Sequence, residues 1–180
     1  MAAAPVPQGP IVIRVSRIEQ LYESLDPSPF HERDLDRDAA RYVAGWAGDL
    51  AEGMPVHLVI HLPQAEAARP ESALIPEAVH RHFDYLAKQK EWELRDLFRI
   101  GRTYFLIGVV TLLVCLTGAQ LIRTHLGDAP LPNLAREGLI ILGWVSNWKP
   151  LETFLYDWWP VRRQMRLMRR LAAARVEIAA

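Results

Sequence analysis

Three charged residues, Lys149, Glu152 and Asp157, interrupt a stretch that is otherwise largely apolar and aromatic, GWVSNWKPLETFLYDWWP (143–160). Because residues three apart lie side by side on a helix, Lys149 and Glu152 are spaced to form an ion pair. A single charge at the centre of a bilayer costs about 3 kcal/mol, so charged side chains at that depth normally face protein or water and mark ion or proton paths. The pattern predicts either a polar seam inside the membrane or a charged cluster at its surface.

A helix break at Pro150 favours the surface position. Proline removes a backbone hydrogen bond from a helix, and the polar residues Ser146 and Asn147 come just before it. The following residues, 150–160, would then slant through the membrane interface, where Tyr and Trp side chains are enriched. We therefore expect an interfacial cluster, with the intramembrane seam as the alternative.

A second group of polar residues, SPFHERDLDRD (28–38), is rich in the carboxylates that bind hard cations. It lacks the glycine and the alternating spacing of a calcium loop, and Asp36 is instead placed to cap the N-terminus of a following helix. His57 and His61 share one face of a strand, but they are too far apart to hold a metal without further ligands. The sequence predicts no metal site and no cofactor.

Motifs of enzymes and of nucleic-acid binders are missing from the sequence. It contains no glycine-rich phosphate loop, no nucleophile elbow and no Cys-x-x-Cys pair, so we expect no catalytic residue and no enzymatic activity. The 180 residues carry a formal net charge of +0, which argues against nucleic acid as a partner. The one cysteine, Cys115, cannot form a disulfide within the chain.

Two apolar segments predict a transmembrane hairpin. TYFLIGVVTLLVCLTGAQLI (103–122) has 20 uncharged residues in succession. A helix of that length spans about 30 Å, the thickness of a bilayer core. The turn GDAPLPNL (127–134) is too short for a domain, so the next apolar stretch must return as a second helix. Its uncharged core, 138–148, is too short to cross alone, and extension to Trp159 places Lys149 near the middle.

Basic residues set the expected orientation. Five lysines and arginines lie in 85–102 and six arginines in 162–175, whereas the connecting segment and the next helix start offer Arg123 and Arg136. The positive-inside rule therefore predicts a multi-pass inner-membrane protein with both termini in the cytoplasm. The arginine-rich tail has apolar residues at helical spacing, which predicts a helix either on an anionic leaflet or on the soluble domain. The arginines expected to contact anionic lipid are Arg162, Arg163, Arg166, Arg169 and Arg170.

The remaining residues predict a small cytoplasmic αβ domain. IVIRV (11–15) and VHLVIHL (56–62) are rich in β-branched residues and bounded by Pro or Gly, as strands are. Helical spacing over 16–25 and 36–50 lies between them, which predicts a β-α-α-β unit with a parallel strand pair and a right-handed crossover. Two strands make a poor core, so ARVEIA (174–179) is predicted to return as a third strand, with a frayed tail as the alternative.

The expected fold class is an α+β membrane protein, with a two-helix transmembrane hairpin and a small cytoplasmic αβ domain. The first expected segments are a disordered lead that lacks signal-peptide features (1–10), the αβ domain (11–62), a linker (63–73) and a juxtamembrane helix (74–102). The others are the first transmembrane helix (103–122), an extracytoplasmic turn (123–133), the second transmembrane helix with an interfacial end (134–159), and a basic amphipathic helix with the C-terminal strand (160–180).

The stretches SLDPSPFHERDLD (24–36) and FLYDWWPVRR (154–163), together with the apolar hairpin, resemble a group of bacterial membrane proteins with two transmembrane helices. The resemblance covers most of the chain and implies a bacterial inner-membrane location, but no activity. We expect a scaffold or accessory subunit, a homo-oligomer or part of a membrane complex, that acts through its cytoplasmic domain. The alternative is an oligomeric ion or proton channel that uses Lys149 and Glu152.

Overall fold

The computed structural model of the chain describes residues 9–23, 34–51, 53–127 and 129–180. The structure is mostly helical, with one small sheet. It divides into a first unit, Met1–Lys90 with Arg163–Ala180, and a second unit, Glu91–Arg162.

The sheet of the first unit has three parallel strands in the order β1-β2-β3. The strands are β1 (Ile11–Arg14), β2 (His57–His61) and β3 (Arg175–Ala179). Leu58 pairs with Ile11 on one side and with Val176 on the other, so β2 is the central strand. The parallel pair and the third strand predicted at 174–179 are therefore confirmed.

One face of the sheet carries the hydrophobic core of the first unit. Leu58 and Ile60 are almost fully buried there, while Val176 and Ile178 of β3 pack against the same core from the edge of the sheet. Alternation along each strand sends these side chains to one face because neighbouring residues in a strand point in opposite directions. The helices supply the other side of the core with Val43, Val79, Phe83 and Leu171.

Helix α1 (Arg37–Asp49) begins where the sequence predicts. The Asp36 carboxylate accepts hydrogen bonds from the backbone N–H groups of Asp38 and Ala39, both at 3.0 Å. These bonds satisfy two of the amides that a helix N-terminus leaves without partners. Asp36 is thus the N-cap, while His31 and Glu32 of the acidic cluster lie outside the described residues.

The helix predicted over 16–25 is wrong for its described part. Only a single 3-10 turn forms, Ile18–Leu21, and residues 24 and 25 lie outside the described part of the chain. Tyr22 instead pairs with Leu35 in an isolated antiparallel bridge, and the Leu21 carbonyl accepts the Asp36 N–H at 2.8 Å. These long-range backbone bonds replace the bonds that would continue the helix.

The segment predicted as a linker, 63–73, contains helix α2 (Gln64–Ala67) and most of a 3-10 turn, Pro70–Leu74. Glu66 joins it to the first 3-10 turn by accepting the Ile18 N–H at 2.9 Å. Arg69 donates to Glu19 at 2.8 Å and pairs with Glu66 at 3.2 Å. The Arg69 side chain thereby connects two parts of the first unit.

The contact of Arg69 with Glu19 predicts that the stability of the fold depends on pH. The hydrogen bond from Arg69 lowers the pKa of Glu19 in the folded chain. A lowered carboxyl pKa contributes stability that is present above the unfolded-state value, near 4.5, and is lost as the pH falls through the folded-state value. We expect Arg69→Met to reduce the free energy of unfolding at pH 7 slightly, because ion pairs that are open to solvent contribute little stability. It should also weaken the dependence of stability on pH between 6 and about 3.5.

Urea unfolding of the full chain in detergent, followed by circular dichroism across that pH range, measures this effect. Arg41→Met is the matched control because Arg41 pairs with Asp38 within α1, at the exposed surface. Equal pH dependence in the Arg69→Met variant and the unchanged protein would contradict the assigned role of Arg69.

Helix α3 (Ile75–Leu126) runs without a break through the predicted juxtamembrane helix and the predicted first span. Gly127 follows it with φ +69°, a left-handed conformation that glycine adopts without strain. Among the described helices, the one ending at Leu126 alone is long and apolar enough to cross a membrane.

The returning chain is a series of shorter helical segments. They are α4 (Pro130–Val145), α5 (Trp148–Glu152), one π-helical turn (Thr153–Asp157) and α6 (Trp158–Ala172). The predicted break is confirmed, since a turn at Ser146 and Asn147 separates α4 from α5. Pro150 lies in the first turn of α5, where its missing N–H leaves no helical carbonyl without a donor. The crossing predicted over 134–159 is therefore not one uninterrupted helix.

Candidate functional site

Small residues form the contact between α3 and α4 in the second unit. A Cβ atom built on Gly143 would lie 2.9 Å from the Leu112 side chain and 3.1 Å from Cys115 Cβ. A Cβ atom on Gly118 would lie 3.3 Å from the Leu139 side chain. The two helices approach this closely because glycine has no side chain, as at many helix contacts in membranes.

The buried amide of Asn147 joins the same two helices. Its Nδ2 group donates to the Gly108 carbonyl at 3.1 Å and to the Gly143 carbonyl at 3.0 Å. Asn147 is 8% exposed, and a Cβ atom on Gly108 would lie 2.8 Å from its Oδ1 atom. Sequence reasoning noted Asn147 only as a neighbour of the helix break. Its role depends on the alignment of α3 with α4, which no local pattern reveals.

Most of the large apolar side chains of this unit are exposed. Its buried residues are small or polar, among them Gly101, Gly108, Cys115, Ala119, Gly143 and Thr153. The exposed residues include many large apolar ones, at exposures from 40% for Ile100 to 77% for Leu131. Examples are Phe105, Leu106, Ile107, Leu113, Val114, Leu121, Ile141, Trp144, Val145 and Trp159. This distribution reverses the one that is typical of a helix pair in water.

The contacts between the helices show which part of α3 lies beside Lys149, Glu152 and Asp157. Asn147 contacts Gly108, and Thr153 contacts Gly101, where a Cβ atom would lie 3.1 Å from the threonine methyl group. Lys149 lies between these two contacts, near the start of the uncharged run of α3. The middle of that run lies instead beside Gly143, which contacts Leu112.

The three charged residues form one cluster. Lys149 Nζ lies 3.2 Å from a carboxylate oxygen of Glu152 and 3.4 Å from Asp157 Oδ2. The Thr153 hydroxyl donates to the same Asp157 oxygen at 3.2 Å. Glu152 and Asp157 together carry one negative charge more than Lys149 neutralises.

The charged cluster is partly exposed, on one side of α5 and the π-helical turn. The exposed fractions of the side chains are 59% for Lys149, 44% for Glu152 and 31% for Asp157. The π-helical turn widens the backbone between Thr153 and Asp157. Sequence reasoning predicted the Lys149–Glu152 pair, whereas the contacts of Asp157 depend on this turn.

The arginine-rich helix α6 packs against protein through its apolar side. Leu171 is 1% exposed, and Leu167 and Met168 pack against the core of the first unit. Arg170 donates to the backbone carbonyls of Ala51 and Met54, at 3.2 and 2.9 Å. Of the two positions predicted for this helix, packing on the αβ domain is therefore the one that its apolar residues adopt.

The five arginines for which lipid contact is predicted differ in their surroundings. The Arg162 guanidinium lies 5.5 Å from the centre of the Trp158 ring, a distance typical of a cation–π contact. Arg163, Arg166 and Arg169 are exposed, and Arg170 is half-buried. Lipid contact by these arginines stays a prediction.

The second face of the sheet is partly open to solvent. His57, Val59 and His61 alternate with the core residues of β2 and are half-buried. His57 Nε2 lies 3.1 Å from a carboxylate oxygen of Glu177 on the neighbouring strand β3. In the described part of the chain, no three His, Cys, Asp or Glu side chains are grouped to hold a metal ion.

No protein family, curated protein or solved structure matches this chain.

Proposed function

We propose that this protein is an integral membrane protein in which α3 and the α4–α5 segment form a two-helix transmembrane hairpin. The observation that carries the proposal is the reversed distribution of the second unit, with small and polar residues inside and large apolar residues outside. In water, exposed apolar surface of this extent destabilises a protein or causes aggregation. In a bilayer the same side chains contact lipid, and close packing of small residues holds the helices together.

The proposed orientation follows from the positive-inside rule. Lysines and arginines are concentrated before the uncharged run of α3 and after Trp159, and are sparse between these regions. We therefore propose that both termini lie in the cytoplasm and the turn at Gly127 on the other side. We propose the bacterial inner membrane as the location, which is what the resemblance of residues 24–36 and 154–163 implies.

The proposed role is that of a scaffold or accessory subunit without enzymatic activity. The support comes from the sheet of the first unit, because parallel sheets are normally covered on both faces and this one is partly open on one. Val12 and Arg14 of β1 are exposed on that face beside the half-buried His57 and Val59. Such a surface is available to a second copy of the chain or to another subunit.

Membrane extraction tests the proposed location. The full chain, expressed in bacteria, should stay in the membrane pellet after washing with alkaline carbonate and leave it only with detergent. A peripheral protein held by arginines would dissociate, because carbonate at high pH and salt disrupts charge contacts. Release of the protein by carbonate alone would overturn the hairpin.

The oligomeric state tests the scaffold role. We expect the detergent-solubilised protein to migrate as an oligomer or together with a co-purifying subunit when measured by light scattering. A strict monomer without any partner would contradict the scaffold.

An oligomeric ion or proton channel is the second candidate, because Lys149, Glu152, Thr153 and Asp157 form a connected polar cluster. The level of Lys149 near the start of the uncharged run favours an interfacial position instead. Lys149→Leu with Glu152→Leu separates the two functions. For a scaffold, proton flux in liposomes stays at the level of empty vesicles with and without the substitutions, and assembly is unchanged. For a channel, the unchanged protein conducts and the variant does not.

A further inference from the structure

An open groove in the second unit combines three arginines with two phenylalanines. It is lined by Arg95, Phe98, Arg99, Arg102 and Phe154. The four residues of α3 occupy positions i, i+3, i+4 and i+7, which together form one face of a helix. In the sequence, the three arginines indicated only the orientation of the chain in the membrane. Phe154 comes from the π-helical turn of the returning chain, so its contact with these residues could not be predicted from the sequence.

The arginines retain donors for an anion. Arg95 pairs with Glu91 and Arg99 with Asp96, each through one nitrogen of its guanidinium group. A guanidinium group has five N–H donors, so both side chains keep free donors for a further acceptor. Arg102 is exposed and forms no ion pair with any residue that the structure describes.

The phenylalanines form an apolar floor that continues toward the uncharged run. The rings of Phe98 and Phe154 are stacked with centroids 6.1 Å apart, and Phe105 meets Phe154 edge to face at 6.4 Å. Beyond them Phe105 and Leu106 are 51% and 65% exposed. A single ligand could therefore place an anion on the arginines and hydrocarbon on the apolar side chains.

We propose that this groove binds the phosphate of an anionic phospholipid, with the acyl chains along Phe105 and Leu106. Arginine binds phosphate through paired N–H donors, and Arg102 is the last charged residue before the uncharged run, where a headgroup phosphate lies. The site rests on the proposed membrane location and differs from the lipid contact predicted for the arginines of α6.

The test uses the full chain in detergent and native mass spectrometry with phosphatidylglycerol, phosphatidylcholine or inorganic phosphate as the probe. We expect the protein to retain phosphatidylglycerol in preference to phosphatidylcholine. Arg99→Gln with Arg102→Gln should weaken phosphatidylglycerol binding by about 25-fold, since each arginine near an anionic surface contributes about fivefold. Arg123→Gln, at the other end of α3, is the matched control and should bind as the unchanged protein does.

Circular dichroism of the double variant establishes that it is folded; both residues are exposed, so its thermal unfolding in detergent should match that of the unchanged protein. Equal retention of both lipids by a protein that stays in carbonate-washed membranes would overturn this site alone. Displacement of phosphatidylglycerol by millimolar inorganic phosphate would also overturn it, in favour of a site for free phosphate. Release of the unchanged protein by carbonate would overturn the membrane location and this site together.

Discussion

A chain that ends at Ala174 is expected to lose the stable fold of its first unit. The deletion removes β3, and with it Val176 and Ile178, which pack against the core beside Leu58 and Ile60. It also removes backbone bonds such as that from the Leu62 N–H to the Ala179 carbonyl, at 2.9 Å. Full burial of one aliphatic side chain contributes about 1.5–3 kcal/mol, and these two are partly buried, so together they contribute about 2–3 kcal/mol. A domain is typically stable by about 5–15 kcal/mol, so the loss is a large share of the total.

Two substitutions in β3 separate the loss of core packing from any effect of shortening the chain. Ile178 faces the core, whereas Ala179, the next residue, has the opposite direction in the strand. Ile178→Asp should lower the free energy of unfolding by about 3 kcal/mol because it brings a carboxylate into apolar surroundings. Ala179→Asp should change it by less than about 1 kcal/mol. Urea unfolding followed by circular dichroism compares them, and equal destabilisation would contradict the observed strand.

Gly143→Leu is expected to separate α3 from α4. A leucine there would overlap Leu112 and Cys115, including the backbone Cα atom of Leu112, which a Cβ atom would approach to 3.3 Å. A backbone atom cannot move aside as the end of a side chain can, so the helices must shift. Overpacking of this kind costs about 1–3 kcal/mol. Gly138→Leu is the matched control, because a Cβ atom on Gly138 has no neighbour within 4 Å.

Thermal unfolding of both leucine variants in the same detergent measures this difference, and cysteine crosslinking measures the helix contact directly. Cys115 is the only cysteine of the chain. In Gly143→Cys, the new Cβ atom would lie 3.1 Å from Cys115 Cβ, so a shift of a few tenths of an ångström reaches the usual disulfide spacing of about 3.5–4.5 Å. Oxidation should therefore form a disulfide within one chain, whereas Gly138→Cys should keep both thiols free. A disulfide in neither variant would contradict the alignment.

Local patterns in the sequence predicted those elements whose form depends mainly on nearby residues. The β-branched runs became β1 and β2, and the alternation over 174–179 became β3. The N-cap at Asp36 and the break before Pro150 depend on the backbone chemistry of a few adjacent residues, and both were predicted correctly.

The helix expected over 16–25 failed for a different reason. The spacing of Ile18, Leu21 and Tyr22 places apolar residues on one side of a helix, but a 3-10 turn followed by a bridge buries the same three side chains. The choice between the two is made by distant backbone groups, such as the Asp36 N–H that bonds to Leu21. The spacing of apolar residues indicates which side chains are buried, but it carries no information about this long-range contact.

The position of the charged cluster along α3 could likewise not be predicted from the sequence. Counting residues along 138–159 places Lys149 near the middle of a span, but the contacts of Asn147 with Gly108 and of Thr153 with Gly101 shift that level toward Arg102. Such alignment is set by where small residues allow two helices to approach, and it requires knowledge of both helices at once.

The position of β3 after all the described helices has a consequence for biogenesis. The ribosome completes β1, β2, α3 and α4 before the residues of β3 emerge, which pair with β2. In the proposed hairpin, a second helix that failed to return across the bilayer would leave β3 on the side opposite β2, and the sheet would stay incomplete. On this proposal, correct insertion is a condition for completing the sheet of the first unit, and a misinserted chain would expose an incomplete core to the quality-control proteases of the cell.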